Sequence, residues 1–187
     1  MDHKNFNYKK LGDLDISSIR NKIQDLDLDW DAYTYRQTRY QDHSKTKTIP
    51  LIWSEEFNGI QEWEDFKKFS TDLIPIFSFL SQILGDGEIV SAILINLPAG
   101  ESIGRHRDAN PRGNKFNLCH RIHIPIITNK ECVFEIEGEE LNMCEGEVWE
   151  ISNVKKLHSV RNLGEIDRIH LLIDFASRNV FEIYFRN

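Results

Sequence analysis

The stretch "DRIHLLIDF", residues 167–175, alternates by chemistry. Successive side chains of an extended strand point to opposite faces, so Arg168, His170, Leu172 and Asp174 share one side while Ile169, Leu171 and Ile173 share the other. Residues 119–127, "CHRIHIPII", repeat the pattern, with Arg121 and His123 opposite Ile122, Ile124 and Ile126. Either strand alone also reads as half-exposed, with its polar side in water. Two copies of Arg-x-His beside a His-x-Asp element favour a strand side that does chemistry.

Around these two strands, residues 88–175 form short β-rich runs separated by turns, starting after the "GDG" at residues 85–87. Upstream, Ile16, Ile19, Ile23 and Leu26 recur at helical spacing and predict an amphipathic helix opening near Asp15. Residues 60–84 carry Trp63, Phe66, Phe69, Leu73, Phe77 and Leu80 at spacings of three and four, a second helix that Pro75 kinks or divides. Between the helices, Tyr33, Tyr35 and Thr38 followed by "TIPLIW" suggest strands around a polar turn at residues 42–45, a loop able to reach a substrate. Helices first and strands afterwards argue for an α+β, mainly β domain: a sandwich or barrel with the early helices on one outer face. We expect one domain over 1–187, with residues 1–87 as helical and loop support, 88–175 as the β core and 176–187 as a C-terminal extension.

Composition narrows the function classes. The chain of 187 residues has 40% hydrophobic and 28% charged residues, an ordinary globular balance. Its net charge of -7 gives no footprint for a phosphate backbone, so nucleic acid is not expected as a partner. The start lacks a signal-peptide core, and the apolar run Ile89 to Leu97 is too short for a bilayer, so no membrane and a cytoplasmic location are expected. Cys119, Cys132 and Cys144 show no CxxC pairing and predict reduced, semi-buried thiols rather than disulfides or structural zinc.

The chemistry concentrates in "GRHRDANPRG", residues 104–113. If the chain is extended there, His106 and Asp108 lie on one side and can offer an imidazole nitrogen and a carboxylate oxygen to one metal, before Asn110, Pro111 and Gly113 turn the chain. A lone His-x-Asp is weak evidence, and a second histidine must come from elsewhere. The best candidate is His158 in "SNVKKLHSVRN", at an expected strand start. Two histidines and a carboxylate on one face of an octahedron leave the opposite positions open, which suits non-haem Fe(II) and O2. Arg168 stands where a hairpin could return its guanidinium beside that metal, ready to hold a distal carboxylate through two hydrogen bonds. A satisfied core histidine and a plain ion pair with Asp174 or Asp108 are the ordinary alternatives for these two residues.

In the order "GRHRD", "CHRIHIPI", "GEVWEISNVKKLHSV" and "DRIHLLIDF", these segments resemble the aspartyl/asparaginyl β-hydroxylase family of Fe(II)- and 2-oxoglutarate-dependent dioxygenases, over roughly Ser91 to Phe175. The resemblance implies a double-stranded β-helix, the cupin-like jelly roll, with His106, Asp108 and His158 as iron ligands and Arg168 on the far carboxylate of 2-oxoglutarate. It gives Arg121 and His123 the part of inward-facing helpers in cosubstrate binding, and it assigns Trp149 and Asn153 to packing and a turn. The implied reaction consumes 2-oxoglutarate and O2, releases CO2 and succinate, and hydroxylates a C–H bond of a free amino acid or of a residue in a peptide or protein. Vertebrate aspartyl hydroxylases lack an acid at the position of Asp108, which is present here as in bacterial relatives resembling proline hydroxylases. A small acidic substrate would need a further cation, for which Arg105, Arg107 and Arg112 are nearest in sequence. The alternatives are a cupin-like module that binds metal or a small acid without turnover, and a non-oxidative metalloenzyme built on His106, Asp108, His123 and His158.

Overall fold

The computed structural model describes residues 5–53, 59–108, 114–152 and 156–186. The expected turn at Asn110, Pro111 and Gly113, together with Arg112 and Asn153, lies outside these residues.

The chain runs β1 (Tyr8–Asp13), α1 (Ser17–Asp25), α2 (Tyr35–Arg39), a 3-10 turn (Gln41–His43), β2 (Lys47–Trp53), β3 (Gln61–Glu62), α3 (Phe66–Leu84) and β4 (Gly87–Leu97). It continues through β5 (Ser102–His106), β6 (His120–Ile127), β7 (Cys132–Ile136), β8 (Glu139–Leu141), β9 (Glu147–Ile151), β10 (His158–Asn162), β11 (Arg168–Ser177) and α4 (Arg178–Tyr184). Two antiparallel sheets result, one ordered β1-β9-β6-β11-β4-β2-β3 and the other β5-β10-β7-β8. From β4 to β11 the chain crosses repeatedly between the sheets, which is the double-stranded β-helix of a jelly roll.

Strand parity sets the layers. Ile122, Ile124 and Ile126 of β6, Ile169, Leu171 and Ile173 of β11, and Ala92 and Leu94 of β4 form one buried cluster with Ile19 and Ile23 of α1 and Phe69, Leu73, Ile76 and Leu80 of α3. The two helices thus cover the outer face of the large sheet, as the amphipathic patterns require. The opposite face of β6 and β11 is buried too: His123, Arg168, His170 and Asp174 are each at most 7% exposed. The half-exposed alternative for these strands is therefore excluded, because the small sheet closes over their polar side.

Several local expectations need correction. β2 is the strand expected at "TIPLIW" and pairs with β4, but β1 and β3 also precede residue 88, and β1 pairs with β9. β1 has a bulge between Lys10 and Gly12 and exposes alternate residues irregularly, which hides its strand character from a period-two reading. Tertiary bonds hold it, with Tyr8 Oη donating to the carbonyls of Phe134 and Glu139. The strand expected across Tyr35 and Thr38 is instead α2. α3 starts at Phe66 and continues through Pro75, whose ring lies on the exposed side, where the carbonyl freed one turn back can meet water. Of the thiols, Cys119 and Cys132 are buried, whereas Cys144 is exposed rather than semi-buried.

Candidate metal centre and cavity

Register brings two of the three expected ligands together. In the antiparallel β5/β10 pair, His106 and His158 are direct Cα partners, and their rings stand 4.2 Å apart between centroids. Both imidazoles are held in the same way. His106 Nδ1 donates to the carbonyl of Gly104 at 2.7 Å, and His158 Nδ1 donates to that of Lys156 at 3.1 Å. Each bond fixes the tautomer and leaves Nε2 with a free lone pair. His106 Nε2 lies 3.4 Å and His158 Nε2 3.5 Å from the same atom, Oδ1 of Asp108. Among the described residues His106 Nε2 is buried without a hydrogen-bond partner, as expected of a nitrogen set up for a metal.

Asp108 divides its carboxylate between two tasks. Oδ1 faces the histidines, while Oδ2 accepts from Nη1 of Arg121. Arg121 is in turn gripped by its cross-strand partner Asp174, through Nε to Oδ1 at 2.9 Å and Nη2 to Oδ2 at 3.2 Å. Burial works against the Asp108 charge, but the contacts to His106 and His158 and the field of Arg121 hold its carboxyl well below the usual range. The guanidinium of Arg121 therefore orients the Asp108 carboxylate.

His43 joins this group without a clear sequence signal. It sits in the 3-10 turn, its ring packs edge-on against His106 at 5.3 Å, and its ligand atoms lie with those of His106 and Asp108 within 4.8 Å of one another. Burial and then Arg36 push its imidazole down to about 3, so it is neutral at physiological pH. Of the polar turn at residues 42–45, Asp42 and His43, with Gln41 before them, line a cavity of about 320 Å³ with His106 and Asp108.

Arg168, His170 and His123 lie off that cavity wall, in a closed polar cluster on the inner face of the large sheet. Arg168 Nη2 donates to His170 Nδ1 at 2.8 Å, so His170 carries its proton on Nε2, where that donor is buried and unpartnered. Among the described residues both ring nitrogens of His123 are likewise buried without a partner. Among the described residues Arg168 has no carboxylate partner, and burial pushes its guanidinium down to about 10. Orphaned donors and acceptors around an unpaired cation fit a polar anion such as a dicarboxylate. The donor set of His106, His158 and Asp108 fits a divalent metal of the Fe(II) kind, with open positions and no thiolate.

The model of the family described as aspartyl/asparaginyl beta-hydroxylase matches residues 14–178. The chain belongs to that family. The match begins far upstream of the Ser91 to Phe175 core and takes in the helices and β2. Among solved structures, similarity is at the level of the fold. A 2OG-Fe(II) oxygenase family oxidoreductase from Burkholderia pseudomallei aligns with a TM-score of 0.53 at 16% identity, covering 70% of this chain and 66% of the other. A prolyl-4-hydroxylase from Pseudomonas putida gives 0.54 at 12%, covering 93% and 94%. A Trichoplax adhaerens prolyl hydroxylase, in complex with a hypoxia inducible factor oxygen degradation domain peptide fragment, gives 0.52 at 12%, covering 96% and 87%. No curated protein matches the sequence. Among the described residues no helix is long and apolar enough to cross a membrane.

Proposed function

We propose that this protein is an Fe(II)- and 2-oxoglutarate-dependent dioxygenase that hydroxylates a C–H bond of an amino-acid substrate, free or carried on a peptide. The observation that carries the proposal is the convergence of His106 Nε2 and His158 Nε2 on one oxygen of Asp108, each ring pinned from behind by a backbone carbonyl. When bound, the metal would activate O2, the oxidant, with the keto acid as its two-electron co-reductant, supplying an oxidising power that no protein side chain has.

The chain's own residues then bind and orient. His106, His158 and Asp108 would hold the metal. Arg121, fixed by Asp174, holds Oδ2 of Asp108 and leaves Oδ1 toward the two histidines. Arg168 would receive the distal carboxylate of 2-oxoglutarate, and His123 and His170 would offer it their orphaned nitrogens. The neighbouring apolar ring of Phe134, stacked 6.0 Å from His158 and edge-on to His123 at 5.4 Å, excludes water from that side. The cavity beside His106 and Asp108 is where the substrate C–H comes within reach.

The test is an anaerobic visible spectrum of the protein with Fe(II), before and after 2-oxoglutarate, repeated on Asp108→Ala. A metal-to-ligand charge-transfer band in the wild type, lost in the variant, supports the proposal. Folded wild-type protein with no band turns the reading to a binding module or a non-oxidative metalloenzyme.

A further inference from the structure

Of the arginines flanking His106, Arg105 is exposed and points to Glu135, 3.6 Å away, and Arg107 lines the cavity but is exposed at its rim, whereas Arg36 is buried in the cavity wall. Arg36, on α2, is 8% exposed, and its contact among the described side chains is a long one, Nη1 to Thr48 Oγ1 at 3.5 Å. Among the described residues no carboxylate forms an ion pair with it. A buried guanidinium without an ion-pair partner among the described residues is costly unless something anionic completes it.

We propose that Arg36 is the anchor for a carboxylate on the substrate, and that the substrate is a monocarboxylate of about the size of one amino acid with an apolar body. The inference rests on the dioxygenase reading of the same site. Size comes first: about 320 Å³ is at the bottom of the range of small-molecule pockets and admits one small molecule or one terminal residue. Shape and polarity come next. Trp53, Ile93 and Leu172 line the same cavity and belong to one apolar cluster between the sheets, a surface for a hydrocarbon body. Charge selects the carboxylate's partner. Among the described lining residues the cations are Arg36, Arg39, Arg107 and Arg121. Arg107 is exposed on the rim. Arg121 is already committed to Asp108 and Asp174, and Arg39 lies over the ring of Tyr35 at 5.7 Å on the exposed rim. Arg36 is the buried cation left to take that anion.

The two sources of such a carboxylate, a free amino acid and the C-terminal residue of a peptide, share this chemistry and separate in the experiment. The anaerobic Fe(II)–2-oxoglutarate protein is titrated with the proteinogenic amino acids, their primary amides, and N-acetylated dipeptides ending in the same residues, following displacement of the charge-transfer band. The expected result is that at least one free acid or one dipeptide acid binds roughly 10–100-fold more tightly than its amide, the span of a charge-assisted hydrogen-bonded contact. That preference disappears in Arg36→Gln and is partly kept in Arg36→Lys, while both variants retain the band and so remain folded with an intact metal and keto-acid site. Preference for the free amino acid names a small-molecule substrate, and preference for the dipeptide names a peptide terminus. A band in the wild type with no acid-over-amide preference anywhere in the panel overturns the anchor, as does a preference that survives Arg36→Gln. No band in the wild type refutes the dioxygenase reading itself, a failure distinct from that of the anchor.

Discussion

Replacing Arg168 by Met is expected to stabilise the ligand-free protein while abolishing its response to 2-oxoglutarate. Arg168 is 3% exposed and lacks a carboxylate partner among the described residues. Burial lowers its guanidinium from 12.5 to about 10, which corresponds to about 3 kcal/mol held against the charged form at about 1.4 kcal/mol per tenfold change in acidity. Met fills a similar volume without charge and removes that cost. It also strips His170 Nδ1 of its donor, which costs about 1 kcal/mol or more, so the net gain is about 1–2 kcal/mol. For a chain of this size the gain corresponds to a melting temperature higher by roughly 2–8 °C.

Thermal and urea melts of metal-free wild type and Arg168→Met measure the first half of this prediction. The second half uses Mn(II), which avoids oxidation, and saturating 2-oxoglutarate. A ligand at about a hundred times its dissociation constant stabilises the native state by about 2.7 kcal/mol, so the wild type should rise past the variant and the order of stabilities should invert. A variant less stable than wild type by 1 kcal/mol or more in the ligand-free melts would refute the reasoning, because Arg168 would then be a structural partner rather than a cation reserved for an anion.

Three other outcomes test the packing and the site. Arg121→Lys keeps the charge but loses the fork that joins Asp174 to Asp108, so Mn(II) affinity measured by calorimetry should fall about 10–100-fold with little change in melting temperature. Gly146 has φ of 80° and an added Cβ would stand 2.6 Å from the Leu14 carbonyl oxygen, so Gly146→Ala should cost about 1–3 kcal/mol in urea melts, and a neutral result would show that the β1–β9 edge yields freely. Asp72 ties α3 to α1: burial raises its carboxyl, but bonds from Lys22 and Ser18 outweigh this and hold it below 3.8. A depressed carboxyl stabilises the fold above its unfolded value near pH 4 and loses that contribution as pH falls through the folded value. Wild type should thus exceed Asp72→Asn by about 1–2 kcal/mol at pH 6, and the two should converge toward pH 2; a constant gap across that window would remove Asp72 from the acid response.

What the sequence disclosed depended on whether local pattern or distant register decided the position. Parity along β6 and β11 separated the residues under the helices from those between the sheets, because a period of two admits no other assignment once both faces are buried. His106 and His158 are 52 residues apart, and their meeting is a matter of β5–β10 register, which spacing alone suggested but did not determine. The N-terminal third was read less well. β1 is an irregular edge strand held by Tyr8 and Lys10 to partners more than a hundred residues away, and α2 is a five-residue helix whose aromatic residues suggested a strand. His43 and Arg36 come from that poorly patterned segment, so the residues that shape the substrate side had no periodic signal to announce them.

Three arginines near His106, Asp108 and His158, Arg36 and Arg168 buried and Arg121 half-buried, divide by how their charge is met. Arg121 is neutralised within the protein by Asp174 and Asp108, and its place is to orient. Arg168 and Arg36 have no such partner among the described residues, one in the closed cluster on the inner sheet face and one on the cavity wall. Keeping an unpaired guanidinium buried costs several kcal/mol, and a protein of ordinary stability carries few such costs without a return in function. On the proposed reading, two such cations at separate places match a reaction that brings two different carboxylates to the same metal, the keto acid to Arg168 and the substrate to Arg36. Exchange of these roles would be visible at once: in a one-carboxylate reaction, loss of Arg36 would weaken 2-oxoglutarate binding as loss of Arg168 does, whereas with two carboxylates only Arg168→Met does so.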